Sequence, residues 1–226
     1  MRILRNLAFY LAFYGGSVVM VLAAMTMIAL APPQVAVIAR LWSQWHHWCV
    51  RNLLGIHILE TGNRPAGLAL YAIKHEAFFE AIAVPAIFAD PVVIAKQELF
   101  DIPGWGRVAR AYGAIPVARG EGAKALRSMI REIKPLAEGG RPVVIFPEGT
   151  RIPHGEKPVL QAGFAAIYKV LGLPVVPVAV NSGPLYQRLW KRSGTLEIRF
   201  GKIIPPGLSR DDIEARVHEA INALND

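Results

Sequence analysis

Cysteine is nearly absent: Cys49 is the single one among 226 residues. One thiol excludes an internal disulfide framework and any cysteine-rich zinc or iron–sulfur site. Charge is scarce as well. Charged side chains make up 19% of the chain against 53% apolar ones, where an ordinary soluble domain carries about 25% and about 45–50%. High apolarity with little charge excludes intrinsic disorder. Internal repeats, low-complexity tracts and metal-ligand spacings are missing, and His75-Glu76 has Phe79 where a zinc-protease helix needs its second histidine. The charge that is present is unbalanced: 25 Lys and Arg against 17 Asp and Glu leave a net +8. A basic surface suits anionic lipid or another acidic partner. The chain lacks a clustered basic run with interleaved aromatics, so no nucleic acid is expected as a partner.

The excess apolarity sits mainly at the start. No charged side chain occurs between Asn6 and Ala39. Leu7 to Ala31 spans roughly 37 Å as a helix, against a hydrocarbon core of about 30 Å. Pro32-Pro33 should end that helix. A second, amphipathic helical pattern runs from Val35 to Leu54, with Trp42, Trp45 and Trp48 at the three-residue spacing of a slowly turning stripe. Tryptophan favours the headgroup level of a membrane. A cleaved signal peptide, a single spanning helix and a helical hairpin dipping into one leaflet all use these features. The first is too long and meets Pro32 at the cleavage point. The hairpin puts Arg2, Arg5, Arg40 and Arg51 on one side, near anionic headgroups, and is the expected path.

After Gly55 short apolar runs alternate with helical stretches. Strands are expected at 56–59, 68–73, 92–95, 114–117, 143–146, 175–180 and 196–200, and helices at 78–88, 122–138, 161–171 and 210–224. Ser209 followed by Asp212 reads as a helix start. The expected class is α/β, a mixed sheet covered by helices and preceded by a membrane-embedded helical hairpin. The expected division is an anchoring helix pair, 1–54, and a catalytic domain, 55–226. Ligand sites in such sheets lie beyond the carboxyl ends of the strands.

Four segments occupy such places. His75 follows the strand at 68–73, with Glu80 five residues on. In mid-helix the two would point about 140° apart. With His75 still in the loop, its ring can fold back over the first helical turn and meet Glu80, which would fix the imidazole tautomer. Val143 to Arg151 reads V-V-I-F-P-E-G-T-R. Here Gly149 permits a tight turn, Arg151 offers a planar fork for phosphate oxygens, and Glu148 can orient Arg151 or accept hydrogen bonds from a polyol. Gly113 to Gly120 delivers Arg119 at a strand end. Leu173 to Ala179 carries Pro174 and Pro177 in a strand-like run, a core strand or a bent apolar wall. Taken alone, each has an ordinary structural reading as a surface pair, a turn or a strand end.

In their order along the chain the four segments resemble the glycerolipid acyltransferases, specifically the bacterial 1-acylglycerol-3-phosphate O-acyltransferases. The family's H-x-x-x-x-D block is matched by His75 and by Glu80 in place of the usual Asp. Its second block is matched by Gly113, Ile115 and Arg119, its F-P-E-G-T-R block in full by Phe146 to Arg151, and its proline-bearing block by Pro174 and Pro177. Lys96-Gln97-Glu98-Leu99 is similar to its K-x-E-L segment. The resemblance implies transfer of an acyl group from an acyl-CoA or acyl carrier protein thioester to the free hydroxyl of lysophosphatidic acid, giving phosphatidic acid. It implies His75 as general base paired with Glu80, and acceptor binding by Lys96, Arg119, Glu148, Gly149, Thr150 and Arg151. Val175, Val176 and Pro177 would border acyl chains. No metal or cofactor is implied beyond the thioester. The implied location is the cytoplasmic membrane, with the catalytic body facing the cytoplasm. Two alternatives stay open: another lyso-lipid acceptor such as lyso-ornithine lipid, and a non-catalytic module binding anionic lipid.

Overall fold

The structure, a computed structural model, describes residues 2–65, 67–117 and 122–225. In chain order its elements are α1 (Arg2–Leu30), α2 (Gln34–Cys49), a π-helical turn (Val50–Leu54), β1 (Ile56–Thr61), β2 (Leu70–Ile73), α3 (Phe78–Ile87), β3 (Val92–Lys96), a 3-10 turn (Gln97–Asp101), α4 (Trp105–Tyr112), β4 (Ile115–Val117), α5 (Gly122–Glu138), β5 (Val143–Ile145), α6 (Ala162–Leu171), β6 (Val175–Val180), β7 (Gly194–Phe200) and α7 (Arg210–Ile221). They form two compact units, one of residues 1–53 and 82–141, the other of residues 54–81 and 142–226. The units are thus interleaved along the chain, whereas the sequence pattern suggests one division at residue 54.

In the first unit α1 ends at Leu30, just before Pro32-Pro33, and α2 folds back along it. The pairing is antiparallel: Trp45 Nε1 donates to the Ala12 carbonyl at 3.2 Å, Trp42 Nε1 to Ser17 Oγ at 2.9 Å, and Arg5 Nε to the Leu53 carbonyl at 2.9 Å. Close approach depends on Gly16, where a Cβ would lie 2.4 Å from Trp45 Nε1. The rest of α1 is apolar and outward: Leu4, Leu7, Leu11, Val18, Val19 and Leu22 are all exposed. At 29 residues α1 is long and apolar enough to cross a membrane.

Segment 82–141 belongs with these helices for identifiable reasons. Pro85 lies inside α3 and disturbs the helical ladder there. Ser43 of α2 fills the gap: its hydroxyl donates to the Ile82 carbonyl at 2.6 Å and accepts from the Ala86 N–H at 3.1 Å. Gly104, just before α4, approaches Val21 and Met25 of α1 so closely that a Cβ would sit 3.1 Å from each. α4 and the 3-10 turn have no counterpart in the sequence expectations. The helix is short, is bracketed by Gly104 and Gly113, and its apolar partner lies about 80 residues away in α1, so no local periodicity marks it. β3 and β4 pair in parallel, and α5 lays Met129, Ile133 and Ala137 into the core.

The second unit is built on a five-stranded mixed sheet, ordered β1-β7-β6-β2-β5. β1 and β7 are parallel, β7 and β6 antiparallel, β6 and β2 parallel, β2 and β5 parallel. The buried runs Leu70–Ile73, Val143–Ile145 and Val175–Val180 are apolar throughout, as parallel strands covered on both faces must be. α7 starts at Ser209, whose hydroxyl accepts the Asp212 N–H at 3.2 Å, and buries Ile213, Val217 and Ile221. It stops at Ile221, short of the expected Leu224, because Asn222 turns its side chain to partners described below.

Candidate active site

Three strands adjacent in the sheet, β6, β2 and β5, run parallel, so the segments after Val180, Ile73 and Ile145 emerge at one end. Each delivers polar residues. β2 is followed by Lys74, His75 and Glu76, β5 by Phe146, Pro147 and Glu148, and β6 by Asn181, Ser182 and Gly183.

His75 lies in the loop between β2 and α3. Its Nδ1 is 3.1 Å from Glu80 Oε2, and its ring stacks on Phe146 at 4.2 Å between centroids. Glu80 stands in the first turn of α3, where the helix dipole favours a negative charge. Its Oε2 also accepts the Ala77 N–H at 2.9 Å, the reach-back by which a glutamate three residues into a helix satisfies an orphan N–H. Its Oε1 accepts a short hydrogen bond from the Ser182 hydroxyl. The longer arm of glutamate meets all three donors from one buried position. A carboxylate only accepts, so the proton of a neutral imidazole sits on Nδ1, and the lone pair points out from Nε2. Among the described residues Nε2 has no hydrogen-bond partner, and the ring is 15% exposed.

Beneath this pair lies a buried ion pair. Lys74 and Glu148 have no exposed side-chain surface, and Lys74 Nζ is 2.6 Å from Glu148 Oε1. The ammonium also donates to the Glu156 carbonyl at 2.9 Å and to Asn222 Oδ1 at 2.8 Å, so its three donors are all used. Glu148 Oε2 accepts the backbone N–H of His75 at 2.9 Å. The sequence expectation for Glu148, orienting Arg151 or binding a polyol, is corrected here. Both oxygens are engaged and the group is sealed from solvent. The turn is closed by the Gly149 N–H donating to the Phe146 carbonyl at 2.9 Å, with Pro147 in the position that suits its fixed φ. Gly149 adopts φ +68°, and a Cβ there would come within 2.8 Å of Gln161 Cγ.

The next residues face outward. Thr150 and Arg151 are exposed, and the Arg151 guanidinium lies 4.0 Å above the Phe78 ring at the start of α3. The Ile152 N–H donates to the His75 carbonyl at 2.7 Å, tying the Arg151 loop to the histidine. Glu76 makes a second carboxylate–histidine contact: its Oε1 lies 2.9 Å from His154 Nδ1, and its Oε2 accepts the Gly183 N–H at 2.7 Å. Burial raises the Glu76 carboxyl above its ordinary 4.5, against the pull of Gly183 and His154. A carboxyl raised on folding contributes stability at low pH and loses it as pH climbs from its unfolded value through its folded one. Glu76→Gln removes that slope. In thermal melts the wild-type Tm therefore falls relative to the variant as pH rises from about 4.5, and a constant difference would contradict the assignment.

The structure does not bring every sequence candidate here. Val175, Val176 and Pro177 are buried in the amino-terminal half of β6, paired with Leu70, Tyr71 and Ala72. Val175 is seven residues before Ser182, about 20 Å along an extended chain. Lys96 belongs to the other unit, where its Nζ lies 2.6 Å from Glu98 Oε1. Arg119 falls outside the described residues. Sequence reasoning passed over Lys74, Glu76, Ser182 and His154. A lysine directly after a buried apolar strand was the available signal for Lys74, and the strand-end rule covers Ser182.

Residues 55–181 match the family model described as acyltransferase. A 1-acyl-sn-glycerol-3-phosphate acyltransferase of Pseudomonas aeruginosa is 29% identical over 164 residues, covering 71% of this chain and 64% of that protein. One of Helicobacter pylori is 32% identical over 137 residues, 59% of this chain and 57% of that protein. The matches span less than two thirds of both relatives. The crystal structure of the 1-acyl-sn-glycerophosphate (LPA) acyltransferase of Thermotoga maritima superposes with a TM-score of 0.70 over 98% of this chain and 93% of that one, at 21% identity, and shares the fold. With more than half its length under the family model and its histidine and F-P-E-G-T-R blocks at adjoining strand ends, the chain belongs to the acyltransferase family.

Proposed function

We propose that this protein transfers an acyl group from a coenzyme A or acyl carrier protein thioester to the free sn-2 hydroxyl of lysophosphatidic acid, forming phosphatidic acid. The observation that carries the reading is the His75–Glu80 pair, with Nδ1 held at 3.1 Å by a buried carboxylate. The names of the two bacterial relatives supply the acceptor.

His75 Nε2 takes the proton of the acceptor hydroxyl as its oxygen attacks the thioester carbonyl. The carbon–oxygen bond forms and a tetrahedral intermediate collapses. The carbon–sulfur bond breaks, and the imidazolium returns the proton to the departing thiolate. No acyl-enzyme is needed. Glu80 stabilises the transient imidazolium, and the Ala77 N–H and Ser182 hydroxyl keep Glu80 in place. Arg151, exposed beside Phe78, grips the acceptor phosphate, with Gly149 and Thr150 shaping the same loop. Acceptor and product are lipids, which fits an outward apolar face on α1. We place the hairpin in one leaflet of the cytoplasmic membrane and the thioester site on the cytoplasmic side, where the donors are.

Purified protein incubated with lysophosphatidic acid and either thioester should release free thiol and phosphatidic acid in equal amounts. No product with either donor would overturn the reading, and equal turnover on lyso-ornithine lipid would move it to that acceptor. Arg151→Ala should raise KM for lysophosphatidic acid by about 10–100-fold, the worth of a hydrogen bond to a charged group, with KM for the thioester unchanged. Equal effects on both substrates would remove the phosphate role.

A further inference from the structure

A buried carboxylate directly after His75 takes no part in the acyl transfer described. The Glu76 side chain has no exposed surface. Holding a carboxylate out of water is costly unless it is hydrogen-bonded, and both of its oxygens are met. Gly183, next to Ser182 at the exit of β6, donates its N–H to Oε2 at 2.7 Å, and His154 Nδ1 stands 2.9 Å from Oε1. The approach is close: a Cβ on Gly183 would lie 3.0 Å from Glu76 Oε2 and 3.1 Å from His154 Cβ. The exit of β6 thus holds two carboxylates, Glu80 through the Ser182 hydroxyl and Glu76 through the Gly183 N–H. Glu80 holds the base. Glu76 holds the loop that carries Arg151.

That loop has little structure of its own. Neither helix nor strand occurs between Arg151 and Gln161. A turn closes where the Glu156 N–H donates to the Pro153 carbonyl at 3.1 Å, with Gly155 at the positive φ, +88°, that such a turn requires. His154 and Gly155 form its tip. Three successive residues after β2 fasten the loop. Lys74 Nζ donates to the Glu156 carbonyl at 2.9 Å, the His75 carbonyl accepts the Ile152 N–H at 2.7 Å, and Glu76 meets His154. The first two holds grip the loop backbone, whatever its side chains. The third depends on the residue at 154. The same short segment therefore places the base and fixes the loop that follows Arg151. We propose that Glu76 and His154 are positioning residues for Arg151: by pinning the tip of the loop they set where the guanidinium meets the acceptor phosphate relative to His75 Nε2. This rests on the acceptor reading given above. The pair acts through Arg151 and not on the reacting atoms.

The test is a double-mutant cycle on acyl transfer by the full chain. His154→Ala should raise KM for lysophosphatidic acid by about 3–30-fold, the size of coupling between side chains in one network, with kcat and KM for the thioester close to wild type. His154→Asn, whose amide nitrogen can take the place of Nδ1 and donate to Glu76, should restore KM. In an Arg151→Ala background His154→Ala should add little, because the group it positions is gone. Fully additive effects on KM, or a wild-type KM in His154→Ala, would overturn the proposal. A fall in kcat at unchanged KM would overturn it too, in favour of a role in holding His75. Amide hydrogen exchange gives a readout without turnover. Exchange in the segment 150–157 should rise in His154→Ala and stay at the wild-type level in His154→Asn. Wild-type exchange there in His154→Ala would refute the pinning itself. A wild-type protein that leaves lysophosphatidic acid unacylated but shows the exchange pattern would defeat the acceptor reading and leave the pinning standing.

Discussion

Replacing His75 with alanine lowers the turnover of acyl transfer by about 10²–10⁴-fold, the loss expected when a general base is removed, while the protein stays folded. The second half of that expectation follows from the site. The imidazole is linked to the rest of the unit by one side-chain hydrogen bond, to Glu80, and by its stack on Phe146. Without it Glu80 keeps the Ala77 N–H and the Ser182 hydroxyl, so the buried carboxylate is not stranded. The backbone N–H of residue 75 still reaches Glu148. Turnover and thermal unfolding should therefore separate in this variant. Glu80→Gln supplies the companion result. The amide oxygen can still accept from Nδ1, but the negative charge that stabilises the imidazolium is gone, so turnover falls with KM for both substrates nearly unchanged. The rate is read from thiol release, the fold from the melting curve. His75→Ala turnover within a factor of a few of wild type would remove the histidine from the chemistry.

The parts of this arrangement that could be read from the chain are those with a local cause. Val175–Val180 and Gly122–Glu138 have the bounds expected from their patterns, since an unbroken apolar run and a long amphipathic stretch each announce one element. Phe146 to Arg151 stands out because a buried strand runs straight into Pro, Glu, Gly and Arg. Burial after that strand is not local, and this is why Glu148 reads as a surface group from sequence. What covers it is Lys74, 74 residues earlier, and what covers Lys74 in turn is Asn222, 148 residues later. The strand order that joins them places β2 between β5 and β6, an arrangement no pairwise spacing expresses. Ser182 escaped for the same reason. Its role exists only because β6 lies beside β2, which brings the two strand ends together. α4 shows the converse case, an element whose stability comes from a remote helix and not from its own eight residues.

Removing Lys74 should be the most destabilising single change in the site. Lys74→Ala leaves the Glu148 carboxylate buried with no counter-ion, which costs about 3–5 kcal/mol and lowers Tm by about 6–20 °C for a chain of this size. Glu148→Gln fails differently. A glutamine has one accepting oxygen and one donating amide, so whichever way it turns, the amide faces either Lys74 Nζ or the His75 N–H, a donor against a donor. The backbone at 75 shifts, Nδ1 leaves its place against Glu80, and kcat falls along with Tm. The double change Lys74→Met with Glu148→Met separates structure from chemistry. Exchanging a buried ion pair for apolar groups of similar volume is often close to neutral, so much of the lost stability should return. The His75 N–H still has no acceptor, however, and kcat should stay low. A Glu148→Gln enzyme with normal Tm and kcat but a raised KM for the acceptor would show instead that this carboxylate binds substrate. Recovery of full kcat in the double variant would show that the histidine holds its place without it.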